Sequence, residues 1–180
     1  MHNISGLIYL PEYISQPHHD WLTTQIDSQV WDTGMKRRVQ HYGYRYDYKA
    51  RKVTPEMYLG DLPEWLTRIA KQLHYDGLID AIPDQVIINE YQPGQGIAAH
   101  IDCEPCFGNR VFSLSLGGSA IMEFSQPSQQ TVEVLLEPRS LVMIYGEARY
   151  DWKHAIPARK SDNMVPRTRR ISLTFRKVTI

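Results

Sequence analysis

The sequence predicts a mainly-β fold, an antiparallel sandwich or jelly roll with two helices and a β-hairpin at its front. Three observations carry this. Six short apolar runs separated by Gly, Pro and Ser turns crowd between Val86 and Phe175, the pattern of short antiparallel strands. Two stretches before Pro83 show helical spacing. Between those two lies a run that alternates Tyr at every second position. With 180 residues, 42% apolar and 22% charged, the chain reads as one globular domain over 1–180 with material for a single core.

In chain order, Ser15 and Pro17 precede an apolar spacing at Trp21, Leu22 and Ile26, predicting a capped helix over 16–29. Residues 37–48 run Arg37, Val39, His41, then Tyr42, Tyr44, Tyr46 and Tyr48, interrupted by Gly43. That is hairpin chemistry. Asp61 with Glu64 three residues on predicts a capping box for a helix over 62–75, its apolar face carrying Leu62, Trp65, Leu66, Ile69 and Leu73. The strand candidates follow: 86–88, 111–116, 120–124, 131–136, 141–145 and 171–175.

The formal net charge is zero. It conceals net +6 over residues 36–52, net +7 over 153–177 and net −13 elsewhere. Two basic segments on an acidic body are what a polyanion binder would show, and cationic side chains solvating strand edges would give the same count. No apolar run approaches the ~18 residues of a spanning helix. The N-terminus has neither the basic start nor the small-residue cleavage site of a signal peptide. The expected address is the cytoplasm, without membrane contact and as a monomer.

A metal site requires converging ligands, and His-x-Asp on an extended chain turns both side chains to one face. The pattern occurs three times, at His18/Asp20, His74/Asp76 and His100/Asp102. The first two fall on predicted helices, where residues two apart diverge. Only His100 and Asp102 follow a strand and a Gly-rich loop (Gln92–Ile97). His154 is the obvious third ligand and His41 the competing one. Two imidazoles and a carboxylate leave half of an octahedral ion open, the arrangement of non-haem Fe(II) oxygenases. Arg170 and Arg176 lie six apart on one face of a strand that otherwise reads as core. Such guanidiniums are costly unless something anionic pairs with them.

These residues resemble the AlkB-type Fe(II)/2-oxoglutarate dioxygenases. The likeness runs through Asn89-Glu-Tyr91-Gln-Pro-Gly-Gln-Gly-Ile-Ala-Ala-His100-Ile-Asp102, Ser113-Leu-Ser-Leu-Gly117, Gly146-Glu-Ala-Arg149 up to His154, and Arg170 to Arg176. It spans 86–177, and Arg37-Arg38-Val-Gln-His-Tyr42-Gly43-Tyr44 extends it forward. The pattern is closest to the AlkB domain of the eukaryotic tRNA wobble-uridine hydroxylase. The resemblance implies a double-stranded β-helix (jelly-roll) core over 86–177 and a nucleotide-recognition lid over 36–52. It implies Fe(II) on His100, Asp102 and His154, 2-oxoglutarate held by Asn89, Tyr91, Arg170 and Arg176, and O2 as oxidant. Iron and O2 would convert 2-oxoglutarate to succinate and CO2 while an alkyl group on a base is hydroxylated. Where the family commonly has Gly after the distal His, Ala155 stands here.

The substrate expected from this resemblance is an alkylated nucleobase in single-stranded DNA or RNA, tRNA included. Repair-type members often carry an acid at the position of Glu104, which suits the cationic bases 1-methyladenine and 3-methylcytosine. Oxidative dealkylation is therefore expected ahead of tRNA wobble-uridine hydroxylation. Lid residues Arg38, Tyr42, Tyr44 and Arg45 would stack bases and hold phosphates, with Tyr46 beside them. A non-catalytic jelly-roll nucleic-acid-binding module and an enzyme acting on protein are the contrasting readings. Cys103-Glu-Pro-Cys106 lacks the second Cys pair of a zinc finger and the helical setting of a thioredoxin motif. It reads as two ordinary thiols beside the metal site.

Overall fold

The computed structural model describes residues 4–127 and 129–180; the first three residues of the N-terminal reading lie outside them. The elements are β1 (Leu7–Leu10), α1 (Gln16–Asp27), β2 (Arg38–Tyr42), α2 (Glu64–Tyr75), β3 (Gln85–Tyr91), β4 (Ile97–His100), β5 (Phe107–Gly117), β6 (Ala120–Ser125), β7 (Val132–Leu136), β8 (Leu141–Ile144), α3 (Gly146–Tyr150), β9 (Lys153–Ile156), β10 (Ser161–Asp162), β11 (Val165–Pro166) and β12 (Arg170–Val178). A six-stranded sheet, β1-β8-β5-β12-β3-β2, faces a four-stranded sheet, β4-β9-β6-β7. Every pairing is antiparallel. This is the expected jelly roll.

Period-two alternation divides the large sheet into two faces. Ile171, Leu173 and Phe175 of β12, with Phe112 and Leu114 of β5 and Val86 and Ile88 of β3, pack outward against Leu22 and Ile26 of α1 and Leu66, Ile69 and Leu73 of α2. Each such side chain contributes roughly 1.5–3 kcal/mol of burial. The inward residues of the same strands meet the small sheet. At one end they form an apolar core of Val111, Val142 and Ile144 against Met122, Phe124 and Val134. At the other end polar residues replace them.

The helices follow the expected faces; α1 starts where expected and ends two residues earlier, at Asp27, while α2 starts two residues later, at Glu64. Ser15 caps α1, its Oγ accepting from the His18 backbone N–H at 3.3 Å. The Asp61–Glu64 capping box does not form. Pro63 takes the N-cap position without a side-chain bond, and Asp61 accepts from the Tyr58 hydroxyl instead. The expected front hairpin is also corrected. Only Arg38–Tyr42 is strand, docked as the edge of the large sheet on β3. Gly43 ends it at φ +76°, where a Cβ would lie 1.8 Å from the Asp84 carbonyl oxygen. Residues 44–58 continue as a loop with isolated bridges Tyr44–Tyr58 and Asp47–Lys52 and one 3-10 turn at Pro55–Met57. β4, β9, β10 and β11 are too short or too polar to stand out as apolar runs, whereas β1 is as apolar and as long as β8 but stands apart from the other strands at the front of the chain.

Candidate active site

His100 ends β4 and His154 lies in β9, and the two are register partners across the small sheet. Asp102 follows β4 by two residues. His100 Nε2 is 3.4 Å and His154 Nε2 3.9 Å from Asp102 Oδ1. One ligand atom from each of the three residues lies within 4.8 Å of the others. His41 is not in this group; it lines a separate hollow with Trp31 and Arg45. His18 and His74 sit on α1 and α2, away from any such cluster among the described residues. Ala155 occupies a regular strand position opposite Glu123, so no special backbone conformation is required there.

The unused atoms of two of these residues are committed elsewhere. His100 Nδ1 is 2.8 Å from the Ala98 carbonyl, which fixes the proton on Nδ1 and leaves the Nε2 lone pair facing the cluster. Asp102 Oδ2 accepts from Arg176 Nε at 2.9 Å, leaving Oδ1 for the cluster. Burial alone would raise the Asp102 pKa, but the Arg176 guanidinium outweighs it and holds the carboxyl well below the usual carboxylate range. Burial pushes His154 down to about 4, so its imidazole is neutral. Neutral imidazoles and an ionised carboxylate are the donor states an iron ion requires. The residues fit the metal.

An inner cavity reaches from the triad in between the sheets, past Asn89, Tyr91, Arg170 and Arg176 and over apolar Met122 and Val142. Arg170 is 2% exposed. It donates to Ser115 Oγ at 2.9 Å and lies 5.6 Å from the centre of the Tyr91 ring. Its Nε has no partner among the described residues. Burial lowers its pKa to about 10, which still leaves it a cation at neutral pH. A buried cation partnered by a hydroxyl and a ring fits a co-substrate carboxylate.

A second cavity of about 410 Å³ opens on the other side of His100 and Asp102, walled by Met35, Arg37, Tyr46, Tyr48, Arg51 and Phe107. Of the expected lid contacts, Arg38, Tyr42, Tyr44 and Arg45 do not line it. Arg38 makes a bidentate pair with Glu90, both bonds at 2.8 Å, and lies over Trp31. Tyr42 packs edge-on against Trp65 of α2. Tyr44 packs at a tilt against Tyr58, ring centres 5.1 Å apart. Arg45 lies 3.4 Å from Asp32 and borders neighbouring hollows. The reason is parity: Arg38 and Tyr42 share the helix-facing side of β2, whereas Arg37 precedes the strand on the other side and donates to Asn89 Oδ1 at 2.8 Å. Glu104 is exposed in a third hollow with His100, Arg51 and Lys153.

Cys103 and Cys106 are not two thiols. They form a disulfide, because the turn that bonds the Cys106 N–H to the Cys103 carbonyl brings their Cα atoms to 5.3 Å.

Residues 6–176 match the 2OG-Fe(II) oxygenase superfamily. The chain is 36% identical, over 98% of its length and 86% of the relative's, to the uncharacterized protein L905 of Acanthamoeba polyphaga mimivirus. Over 88% of its length it is 40% identical to the tRNA (carboxymethyluridine(34)-5-O)-methyltransferase ALKBH8 of Mus musculus, of which it spans 25%. Among solved structures, OsALKBH1 superposes with a TM-score of 0.74 at 18% identity, covering 98% of this chain and 99% of that one, a likeness of fold. The chain belongs to the 2OG-Fe(II) oxygenases of AlkB type, a family whose dioxygenase chemistry uses Fe(II), 2-oxoglutarate and O2.

Proposed function

We propose that this dioxygenase hydroxylates a carbon-linked substituent on a uridine of tRNA, presented as an unpaired base. The observation that carries the nucleobase reading is the collar of Arg37, Tyr46, Tyr48 and Arg51 around the cavity beside His100 and Asp102. Flat aromatics stack on bases, roughly 1–3 kcal/mol each, and guanidiniums hold phosphates. A base already unpaired in a loop avoids the few kcal/mol of extrusion from a duplex. Support for tRNA comes from the 40% identity to the mouse protein, whose name refers to tRNA carboxymethyluridine(34).

In this reading His100 Nε2, Asp102 Oδ1 and His154 Nε2 hold Fe(II). Arg170 binds a carboxylate of 2-oxoglutarate, with Asn89 and Tyr91 lining its site. Arg176 fixes Asp102 and closes the same cavity wall. Bound iron, with O2 and 2-oxoglutarate, supplies the oxidation that turns a substrate C–H into C–OH, with succinate and CO2 as by-products. The chain's own contribution is to orient the ligands, neutralise the co-substrate and hold the base at the collar.

Glu104 favours a second reading, dealkylation of a cationic methylated base. Hydroxylation on an N-methyl carbon would release formaldehyde and the unalkylated base. Its carboxylate shares its hollow with Arg51 and Lys153. This reading rests on that one exposed carboxylate, against the 40% identity to a protein named for tRNA, so it stands second.

The test is aerobic turnover with Fe(II) and 2-oxoglutarate on bulk tRNA and, separately, on N-methylated single-stranded DNA. Nucleosides are read by mass spectrometry, with His100→Ala as control. One oxygen gained on a tRNA uridine is expected. Methyl loss with formaldehyde would instead establish dealkylation. Co-substrate consumption with neither base altered would overturn both readings.

A further inference from the structure

We propose that Arg149 is a positioning residue that fixes the backbone of the metal-binding carboxylate, an inference that rests on Asp102 being an iron ligand. The three candidate ligands are not anchored alike. His100 and His154 are held opposite each other by the β4–β9 ladder. Asp102 lies beyond the end of β4, in residues 101–103 that belong to no strand. A carboxylate on an untethered backbone would cost ordering entropy each time a metal bound.

The Arg51 bond to the Ile101 carbonyl at 3.1 Å and the Cys103–Cys106 disulfide hold the flanks of this segment, and Arg149 holds the Asp102 carbonyl itself. Arg149 is 1% exposed and comes from α3, the turn of helix that leads directly into β9 and His154. Its two terminal nitrogens donate to consecutive carbonyls, Asp102 at 2.9 Å and Cys103 at 3.3 Å. One planar fork therefore joins the segment bearing the carboxylate to the element bearing the second imidazole. The guanidinium also lies 4.9 Å from the Tyr150 ring, and its Nε has no partner among the described residues. A buried cation satisfied by carbonyls and a ring is a poor way to fill a core. Its fork geometry is what this position uses. Arg149 lines neither the co-substrate cavity nor the cavity at the collar, so its effect passes through Asp102. Arg176 fixes the carboxylate itself, at Oδ2. The two arginines thus constrain different ends of one residue.

The experiment is titration of the metal-free protein with Co(II), followed by its visible absorption bands, for wild type, Arg149→Lys and Arg149→Met. His100→Ala reports loss of a ligand. Arg167→Lys is the structural control, since buried Arg167 bonds Asp162 on the far hairpin at 2.6 Å. Lysine keeps the charge but cannot span two carbonyls as a planar fork does. Both Arg149 variants should bind Co(II) about 10–100-fold more weakly, the range seen when an outer-shell partner of a metal ligand is lost. Their band shape should change, and 2-oxoglutarate affinity at saturating metal should stay near wild type. Arg167→Lys should lower Tm without moving Co(II) affinity. A folded Arg149→Lys protein with wild-type Co(II) affinity would overturn the proposal. Unfolding of both variants would also overturn it, assigning Arg149 to the core. A wild-type protein that binds no Co(II), or a His100→Ala protein that binds it equally well, would remove the underlying reading of the triad.

Discussion

Arg170 and Arg176 occupy like positions on the inward face of β12, yet their neighbours give them different duties. Arg176 is answered by a carboxylate, Asp102 Oδ2 at 2.9 Å, and by Gln85 Oε1 at 3.2 Å. Arg170 has a serine hydroxyl and an aromatic ring. Six-residue spacing in the sequence marks both as expensive in a core but cannot show which one a carboxylate of the chain already neutralises. That depends on Asp102, far away in sequence. In the proposed reading, the unanswered cation is the one an anionic co-substrate completes. Arg170→Gln should therefore weaken 2-oxoglutarate binding by about 10–100-fold, the value of losing a charged hydrogen-bond partner worth roughly 1.5–3 kcal/mol. Co(II) affinity should stay close to wild type. Tm of the ligand-free variant should not fall, since an uncompensated buried charge has been removed. Titration of 2-oxoglutarate into Co(II)-loaded protein checks the first point. Equal affinity in variant and wild type would move the co-substrate anchor elsewhere.

At the scale of the element, the front strand shows what alternation can and cannot reveal. The Tyr run of 42–48 is legible as extended chain, and the His100-x-Asp102 pair is legible because β geometry puts both side chains on one face. Which face of β2 meets the cavity is set by its register against β3, where Val39 pairs with Asn89 and Arg38 with Glu90. A one-residue change of parity moves the whole set to the other side. Thus Arg38 and Tyr42 face α1 and α2, while Arg37, Tyr46 and Tyr48 border the open cavity. Gly43 and the loop after it break the period, so the later tyrosines do not follow the strand's parity. Tyr48→Ala should weaken binding of a single-stranded oligonucleotide by roughly 1–3 kcal/mol, about the contribution of one stacked base, with little change in Tm. Tyr42→Ala should do the reverse, lowering Tm through loss of its packing on Trp65 while leaving oligonucleotide affinity intact. Fluorescence anisotropy and thermal melts of both variants make the comparison. Equal losses of affinity would mean the collar is misassigned.

Over the whole molecule, the charge asymmetry visible in the sequence is largely internal. The basic segment at 153–177 spends Arg159 and Arg167 on Asp162, Arg169 on Asp27 and Glu90, and Lys177 on Asp84. A count of charges cannot show this, because the partners are folded in from distant parts of the chain. Only part of the basic excess is left to face a polyanion. The paired charges instead make stability depend on acid. Glu90 joins Arg38 of β2 to Arg169 before β12, and Arg169 reaches on to Asp27 of α1. Burial raises the Glu90 pKa, but its bonds from Arg38 and Arg169 outweigh this and bring it to about 2. Asp162, buried and bonded by Arg167, Arg159 and the Ile121 N–H, also falls to about 2. Both folded values lie below the unfolded ones, so the unfolded chain takes up protons first as pH drops. Their stabilisation is complete above the ordinary carboxylate range and is lost as pH falls from about 4.5 toward 2, on the order of 2–3 kcal/mol each. Urea unfolding of metal-free protein should show a midpoint that declines gently below about pH 6.5, where the unfolded chain protonates imidazoles that burial keeps neutral in the fold (His41 and His154), and falls steeply below 4.5. Glu90→Gln takes the shared carboxylate from Arg38 and Arg169, both part-exposed and the second still paired with Asp27, and should cost roughly 1.5–3 kcal/mol at pH 7. Its acid slope should be shallower than that of wild type, because one of the depressed carboxylates is gone. Parallel slopes for the two proteins would show that Glu90 titrates normally and that the network does not link the helices to the sheet.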